Sequence, residues 1–168
     1  MSVEISLLDS GLEYPGRKQY DCGNAIINKF VRDSLVVQVK KKLTVAYVLT
    51  DSAQNGRLVG FFTIANHALD AQSLSSLQLG SLPRKIPCVR LGMLGVDQHY
   101  KNQKLGSRLM RQALHITKAA SNQIGCFGLY LDADTAAVAF YQKLGFVLLE
   151  GDKSPEPSPM FIAVQSIA

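Results

Sequence analysis

One stretch of the chain constrains the fold more than any other, because a strand in it runs through a short polar turn into a helix. Val89–Val96 (VRLGMLGV) has the apolar content of a strand, and apolar residues from Leu105 onward recur at helical spacing. Gly92 and Gly95 interrupt the strand, and glycine weakens a strand unless a bulge or a closely approaching ligand needs the space. We therefore predict a strand–turn–helix unit whose strand is irregular near its end.

The turn of this unit, HYKNQKLGSRL, has the chemistry of an anion site. A turn between a strand and a helix directs successive backbone N–H groups and the positive helix end into one concavity. Lys101 and Lys104 add positive charge, and Gly106 lets a ligand approach the backbone. The spacings of a Walker loop and of a dinucleotide-binding loop are both absent. Taken alone, the segment fits an ordinary turn with solvated lysines equally well.

Both strands and helices are predicted along the chain, in an order that indicates an α/β fold with a mixed sheet. Turn and capping residues at Asp21–Asn24 precede a predicted amphipathic helix that includes Leu35. We expect this helix to end at the following lysine run, because positive charge suits a helix C-terminus. The segment Leu69–Lys85 is ambiguous between helix and extended chain. Further strands are predicted at Leu43–Thr50, Leu58–Ala65, Gly128–Asp132, Phe146–Leu149 and Met160–Val164, the last after a proline-punctuated loop at Ser154–Pro159.

Size and cysteine usage exclude several classes of protein. With 168 residues and 47% hydrophobic content, we predict a single globular domain over residues 1–168. No run approaches the roughly 18 consecutive apolar residues of a membrane span, and the N-terminus lacks signal-peptide features, so we expect a cytoplasmic protein. The three cysteines are scattered and share no metal-ligand spacing with the three histidines. We expect buried free cysteines and no metal site.

The net charge of +5 favours an anionic partner, such as a nucleotide cofactor, RNA or an acidic protein. The positive charge is concentrated in four clusters: Arg17-Lys18, Lys40-Lys41-Lys42, Arg84-Lys85 and Lys101–Arg111.

A second constellation, LYLDADTAAVAFYQKLGFVLL, places a tyrosine on a short helix behind a strand. We predict this helix at Thr135–Leu144, with Gly145 as the residue that ends it. We interpret Asp132 and Asp134 as caps of the helix rather than as an acid–base pair, because aspartate favours helix starts. Tyr141 is either a core aromatic or a proton donor to a thiolate. Reference pKa values of about 10 for a phenol and about 8.5 for a thiol make that transfer nearly balanced.

Together the two constellations resemble the GCN5-related N-acetyltransferases, the GNAT superfamily. LPRKIPCVRLGMLGVDQHYKNQKLGSRLM is similar to the central region of that family, and FYQKLGF to the FY-x-x-x-GF pattern near its end. The resemblance implies a mixed, mostly antiparallel sheet flanked by helices, with a splayed strand pair that holds acetyl-CoA. It also implies that Tyr141 is the general acid that protonates the departing CoA thiolate.

In that family the loop that holds the CoA pyrophosphate reads Arg/Gln-x-x-Gly-x-Gly/Ala, and this chain has Lys101, Lys104 and Gly106 at the matching positions. Lysine at 104 introduces a Cβ where glycine is usual, and lysine at 101 keeps the charge without the fork geometry of arginine. The strand before the loop contacts the acetyl group and the pantetheine arm, and an N–H there stabilises oxyanion charge. The implied cofactor contacts are Met93, Leu94, Gly95, Val96, Lys101, Asn102, Gln103, Lys104, Leu105, Gly106, Ser107, Asp132, Phe140 and Lys143.

Similarity to one branch of the superfamily, the acetyltransferase toxins of bacterial toxin–antitoxin pairs, extends over about residues 4–165. It is carried by DCGNAIINKFV, TVAYVLTD, LVGFFTIA and LPRKIPCVRLGMLGVD. The resemblance implies an enzyme that acetylates the α-amino group of aminoacyl-tRNA and thereby blocks translation. It also implies a cognate antitoxin protein and a homodimer.

An α-amino group needs no dedicated strong base, because its pKa is about 7.7–8.0 and the neighbouring ester lowers that pKa further. Asp97 and His99, near the loop, are weak candidates for such a base. Two alternatives stay open: a GNAT enzyme for a small-molecule or protein amine, and a GNAT-like binding module with little catalysis. The candidates for salt-sensitive contacts with tRNA phosphates are Arg84, Lys85, Arg90, Lys40, Lys41 and Lys42.

Overall fold

The computed structural model describes residues 1–149 and 156–168, which contain both strands and helices, as an α/β fold requires. The strands are β1 (Val3–Leu7), β2 (Val45–Asp51), β3 (Arg57–Asp70), β4 (Lys85–Val96), β5 (Gly128–Ala133), β6 (Val147–Leu148) and β7 (Ser158–Ala163). The helices are α1 (Ala25–Asp33), α2 (Leu35–Lys40), α3 (Leu105–Ala120) and α4 (Val138–Lys143). Short 3₁₀ turns lie at Ser52–Gln54, Ala71–Leu77, Gln98–Tyr100, Thr135–Ala137 and Val164–Ser166.

The described strands form a mixed sheet in the order β1-β2-β3-β4-β5-β7-β6. Antiparallel pairing joins β1 to β2, β2 to β3, β5 to β7 and β6 to β7, whereas β4 and β5 are parallel. The parallel register joins Val89 to Leu129 and Arg90 to Tyr130. Both strands continue past these pairs, to Val96 in β4 and to Ala133 in β5. The prediction of a mixed, mostly antiparallel sheet with flanking helices is confirmed.

Local signals place several ends of helices where the sequence predicts them. Asn24 caps α1, and its side chain accepts hydrogen bonds from the N–H groups of Ile26 and Ile27. Gly145 follows α4 with a φ of +104°, the conformation expected of a residue that ends a helix. The predicted first helix is interrupted at Ser34, whose backbone is not helical, so α1 and α2 are separate.

Other element bounds differ from the prediction. Strand β1 was not predicted. The ambiguous segment Leu69–Lys85 is strand at both of its ends, because β3 continues to Asp70 and β4 begins at Lys85. The predicted helix at Thr135–Leu144 begins as a 3₁₀ turn, and β7 starts at Ser158. The first part of the predicted proline-punctuated loop, residues 154–155, lies outside the described residues.

The described chain clusters into two compact units, and the prediction of a single domain stays a prediction. Unit 1 comprises Met1–Ala65 and Gly92–Ala113, and unit 2 comprises Asn66–Leu91 and Leu114–Ala168. The chain passes from one unit to the other within β3, β4 and α3.

The core of unit 1 lies between the first two helices and the sheet. The apolar face of α1 buries Val31, and α2 buries its first residue, Leu35, both completely. They cluster with Phe61 of β3, on whose ring Phe30 stacks at 6.3 Å and Tyr20 packs edge-on at 5.8 Å. Aromatic pairs in these geometries stabilise beyond their buried area, by about 0.5–1.5 kcal/mol each.

The core of unit 2 includes Leu69, Leu74, Ile86, Cys88 and Phe161, all buried. Burial raises the pKa of the Cys88 thiol to about 12, so this cysteine is unreactive, as expected for a core residue. The other two cysteines are free but only partly buried. No helix among the described residues is long and apolar enough to cross a membrane.

Candidate active site

Two glycines near the end of β4, in unit 1, lie close to neighbouring side chains. A Cβ on Gly92 would lie 2.9 Å from the Thr63 hydroxyl, which accepts a 3.0 Å hydrogen bond from the N–H of Met93. A Cβ on Gly95 would lie 2.6 Å from the Tyr20 hydroxyl. Neither position has room for a side chain, because Thr63 and Tyr20 fill the space beside the backbone, and the expected bulge or close approach of a ligand stays a prediction.

A buried carboxylate fixes the turn that follows β4. Asp97 is 1% exposed, and one of its oxygens lies 2.9 Å from the N–H of His99, which donates to it, and 2.7 Å from the imidazole Nδ1 of His99. The Asp97 N–H donates to the Val59 carbonyl at 2.7 Å, and the Arg57 guanidinium lies 3.9 Å from the carboxylate. These bonds favour a structural role for Asp97 over that of a general base.

The predicted phosphate loop has a strained backbone. Asn102 and Lys104 have φ values of 64° and 59°, in the left-handed region that a residue with a Cβ enters at a cost of roughly 1–2 kcal/mol. The prediction that Lys104 occupies a glycine-type position is therefore confirmed by its backbone. Residues 101–104 are exposed, whereas Leu105 is buried and anchors the start of α3.

The first turn of α3 has backbone N–H groups without an acceptor inside the helix, as in any α-helix. The N–H of Arg108 donates to the Lys104 carbonyl, so the N–H groups of Leu105, Gly106 and Ser107 precede that intrahelical bond. This turn contains no acidic residue that would compete for them. The positive end of a sixteen-residue helix, with Lys101 and Lys104 before it, suits the pyrophosphate of CoA.

The segment Tyr20–Asn24, to which the sequence assigned no site role, contacts the turn that follows β4. The N–H of Gln98 donates to the Asp21 carbonyl at 2.8 Å. The Asp21 carboxylate in turn accepts from the Gly23 N–H and the Asn28 amide, and these bonds lower its pKa. The signal in the sequence was the Asp-Cys-Gly-Asn turn, which the prediction used only to start a helix.

Tyr141 lies in unit 2 with its ring held between two phenylalanines. Phe140 and Phe146 pack edge-on against it at 5.1 Å and 5.6 Å, and the residue is 8% exposed. Burial, with a smaller contribution from the negative charge of Asp134, raises the pKa of Tyr141 to about 12. The phenol is therefore protonated at neutral pH, the state that a proton donor needs.

The interpretation of two aspartates as helix caps is wrong for their side chains. Asp134 occupies the capping position of the 3₁₀ turn but its side chain accepts no capping hydrogen bond. The Asp132 carboxylate is bonded to strand residues instead. It accepts a hydrogen bond from the Arg90 guanidinium of β4 at 3.1 Å and one from the Tyr130 hydroxyl of its own strand, β5, at 2.9 Å. Strand pairing across the sheet outcompetes local capping here.

The basic candidates for tRNA contacts fall in both units, and two of them are paired. Arg90 is bound to Asp132, and Lys85 forms a 2.7 Å ion pair with Asp70 in which both side chains are 62% exposed. Arg84 is exposed beside this pair. In unit 1, the run Lys40, Lys41 and Lys42 is exposed at the end of α2, as the charge pattern predicts.

The predicted site residues thus divide between the units. The β4 end and the phosphate loop (Met93, Leu94, Gly95, Val96, Lys101, Asn102, Gln103, Lys104, Leu105, Gly106 and Ser107) belong to unit 1, whereas Asp132, Phe140, Tyr141 and Lys143 belong to unit 2. The described residues contain no group of three or more His, Cys, Asp or Glu side chains able to hold a metal ion.

Comparison with known proteins identifies the family. Residues 43–148, more than half of the chain, match the acetyltransferase (GNAT) domain. The chain belongs to the GNAT acetyltransferase family. A relative from Mycobacterium tuberculosis, a tRNA-acetylating toxin, is 28% identical over 102 residues, which are 60% of this chain and 61% of that protein. The match thus spans less than two thirds of that relative.

Solved toxin structures extend the likeness to almost the whole chain. A bacterial toxin shares 39% identity and a TM-score of 0.92 over 97% of this chain and 91% of its own. The toxin AtaT complexed with acetyl-methionyl-tRNAfMet shares 27% identity and a TM-score of 0.87, over 98% of this chain and 96% of that one. A third structure is a tyrosine-to-phenylalanine mutant of AtaT bound to the C-terminus of the antitoxin AtaR and to acetyl-CoA. It shares 26% identity and a TM-score of 0.82, over 99% of this chain and 96% of that one.

Proposed function

We propose that this GNAT protein transfers the acetyl group of acetyl-CoA to the α-amino group of aminoacyl-tRNA, and so acts as a translation-blocking toxin. The observation that carries the proposal is the likeness over 98% of the chain to AtaT, whose structure contains an acetylated methionyl-tRNA. The tRNA-acetylating relative from Mycobacterium tuberculosis supports the same substrate class.

In the proposed reaction the amine nitrogen attacks the thioester carbonyl. A C–N bond forms and the C–S bond breaks, which gives an amide and CoA thiolate. Tyr141 donates its phenolic proton to the thiolate sulfur, and the proton released by the amine returns to the tyrosinate, so that free CoA thiol leaves. A pKa near 12 keeps the Tyr141 phenol protonated until negative charge develops on the CoA sulfur. The same pKa makes proton transfer from the phenol to the thiolate less favourable than the reference pKa values indicate.

Residues of unit 1 are proposed to hold acetyl-CoA. The N–H groups at the start of α3, with Lys101 and Lys104, supply the donors and charge that a pyrophosphate needs. The backbone at Met93–Val96 takes the acetyl group and the pantetheine arm, where an N–H stabilises the oxyanion. Phe140 and Lys143 remain candidates for further cofactor contacts.

The partners are proposed from the same relatives. The exposed lysines at the end of α2, with Arg84, would contact tRNA phosphates, so binding should weaken as salt rises. AtaT is bound to its antitoxin AtaR, and we propose a cognate antitoxin for this chain, together with a homodimeric state and a cytoplasmic location. Light scattering of the purified protein, alone and with the product of a neighbouring small reading frame, tests the dimer and the partner.

The central test is acetyl transfer from radiolabelled acetyl-CoA to charged tRNA. Tyr141→Phe should retain the fold and acetyl-CoA binding, because the ring still packs between its two phenylalanines, but transfer should slow by about 10²–10⁴-fold. Tyr47→Phe is the matched control, since Tyr47 stacks on Phe62 at 5.4 Å and belongs to no candidate site.

Turnover of Tyr141→Phe at the wild-type rate would remove the phenol from the mechanism. Label on small amines with none on any charged tRNA would favour the small-molecule enzyme. Ligand binding without release of CoA thiol would favour a binding module with little catalysis.

A further inference from the structure

A cavity of about 240 Å³ in unit 2 has no assigned role. Its walls include Tyr130 and Asp132 of β5, Ser73 of the 3₁₀ turn after β3, Leu149, and Glu156 and Pro159 at the start of β7. Asp132 was expected from the family resemblance to contact the cofactor. The chemistry of the cavity points to a different ligand.

The polar groups of this cavity are acceptors and hydroxyls. Asp132 and Glu156 contribute carboxylates, Tyr130 and Ser73 contribute hydroxyls, and none of the described residues lining the cavity is basic. Two carboxylates that line the same cavity disfavour the phosphates of CoA or of tRNA and favour a group that carries N–H donors. The volume suits a group the size of an amino-acid residue.

Neighbouring side chains hold the Asp132 carboxylate in a defined orientation. Arg90, paired in register with Tyr130 across β4 and β5, donates to one oxygen, and the Tyr130 hydroxyl donates to the other. On the Tyr130 ring, His67 stacks at 5.1 Å with an 18° angle between the planes. Each carboxylate oxygen has a second lone pair, so Asp132 can still accept a hydrogen bond from a ligand.

Among the described residues, the side chains that line the cavity and face Asp132 carry more negative than positive charge. Arg90 is the cation that faces the carboxylate, and it balances one of the two acidic side chains. Burial lowers the pKa of His67, and the nearby Arg90 lowers it further, so the imidazole is uncharged at neutral pH and adds no second positive charge.

We propose that this cavity receives the aminoacyl group of the acceptor and that Asp132 accepts a hydrogen bond from its α-amino group. The proposal rests on the proposed function, because it supplies the amine side of the same reaction. Asp132 is then an acceptor-binding residue rather than a cofactor contact, and the ester-linked amine is oriented without being deprotonated by a strong base.

The test compares Asp132→Asn with Asp33→Asn, an exposed aspartate at the end of α1 that belongs to no candidate site. Losing a hydrogen bond to a charged group corresponds to a fall of roughly 10–100-fold in kcat/KM for aminoacyl-tRNA, mainly through KM. The affinity for acetyl-CoA and the inhibition constant of uncharged tRNA should not change, because neither ligand carries the amine.

Three results would overturn the assignment: unchanged kinetics of Asp132→Asn, a parallel loss of acetyl-CoA affinity, or a parallel loss of uncharged-tRNA binding. If Asp132→Asn does not fold by urea denaturation, Glu156→Gln is used in its place, with the same expected rise in KM. A wild-type KM for that variant would also overturn the proposal.

Titration with an amino-acid methyl ester separates this proposal from the proposed function. Ester binding by the wild type that weakens about 10-fold or more in Asp132→Asn supports the cavity even if no charged tRNA is acetylated. Failure of tRNA acetylation by the wild type contradicts the proposed function alone, whereas equal ester binding by wild type and variant contradicts the cavity alone.

Discussion

Replacing Gly95 with alanine should destabilise unit 1 in a way that a second substitution partly reverses. A Cβ at position 95 would lie 2.6 Å from the Tyr20 hydroxyl and 3.2 Å from the Cys22 sulfur. Carbon atoms pack best at roughly 3.5–4.0 Å, so at least one neighbour has to move. Tyr20 is fully buried and packed edge-on against Phe61, which leaves its ring little freedom.

The size of the effect follows from the overlap. Overpacking a filled core costs typically about 1–3 kcal/mol, and we expect about 2 kcal/mol for Gly95→Ala. The Tyr20 hydroxyl is buried beside the Cys22 thiol, a weak hydrogen-bonding group, and has no other partner among the described residues. Burial, with a smaller contribution from Cys22, raises its pKa, and Tyr20→Phe alone should be neutral or stabilising by up to about 1 kcal/mol. In the Tyr20→Phe background, Gly95→Ala should cost about 1 kcal/mol, because Cys22 remains close.

Urea denaturation of the two single variants and the double variant measures the coupling, expected at about 1 kcal/mol. In a chain of this size that free energy corresponds to about 2–4 °C in Tm. Gly92→Ala is the control, because its Cβ would meet Thr63 and Tyr20→Phe should not rescue it. Equal costs of Gly95→Ala in both backgrounds would refute the steric reasoning. A destabilising Tyr20→Phe would show that the hydroxyl is bonded.

Two further predictions concern unit 1. Lys104→Gly should stabilise the fold by up to about 1 kcal/mol by relieving the left-handed backbone, yet weaken acetyl-CoA binding through loss of charge. Asparagine also tolerates the left-handed conformation, so Lys104→Asn should weaken acetyl-CoA binding equally but stabilise the fold less. Calorimetry with acetyl-CoA that finds tighter binding in either variant would contradict this. Hydrogen bonds from the Ser2 N–H and the Tyr100 hydroxyl lower the pKa of Asp51 in the folded state. The ionised Asp51 carboxylate therefore stabilises the folded state at neutral pH, and this contribution is lost as the pH falls through the folded pKa. The difference in urea midpoint between wild type and Asp51→Asn should therefore shrink from about pH 7 to about pH 3, and a constant difference would contradict the linkage.

Features of the site that depend on a few consecutive residues could be read from the chain. The cap at Asn24, the left-handed Gly145 and the unfavourable Cβ at Lys104 follow from residue type and immediate neighbours, because local sterics and short-range hydrogen bonds fix them. Fold class was also predictable, since hydrophobic periodicity distinguishes strands from helices. Tyr141 was singled out by a resemblance, that of FYQKLGF to the FY-x-x-x-GF pattern of the GNAT superfamily.

Tertiary structure alone decided which polar groups meet. Asp132 has the sequence context of a helix cap, but Arg90, forty-two positions away, binds it because parallel pairing of β4 and β5 places Arg90 opposite Tyr130, two residues before Asp132. The Asp21 backbone N–H contacts the buried Asp97 carboxylate from seventy-six positions away. Burial changed Tyr141 from a phenol of ordinary acidity to one with a pKa near 12. The sequence determined the local conformations and the family; desolvation and long-range pairing, which arise only when the chain packs, decided the partners and acidity of the side chains.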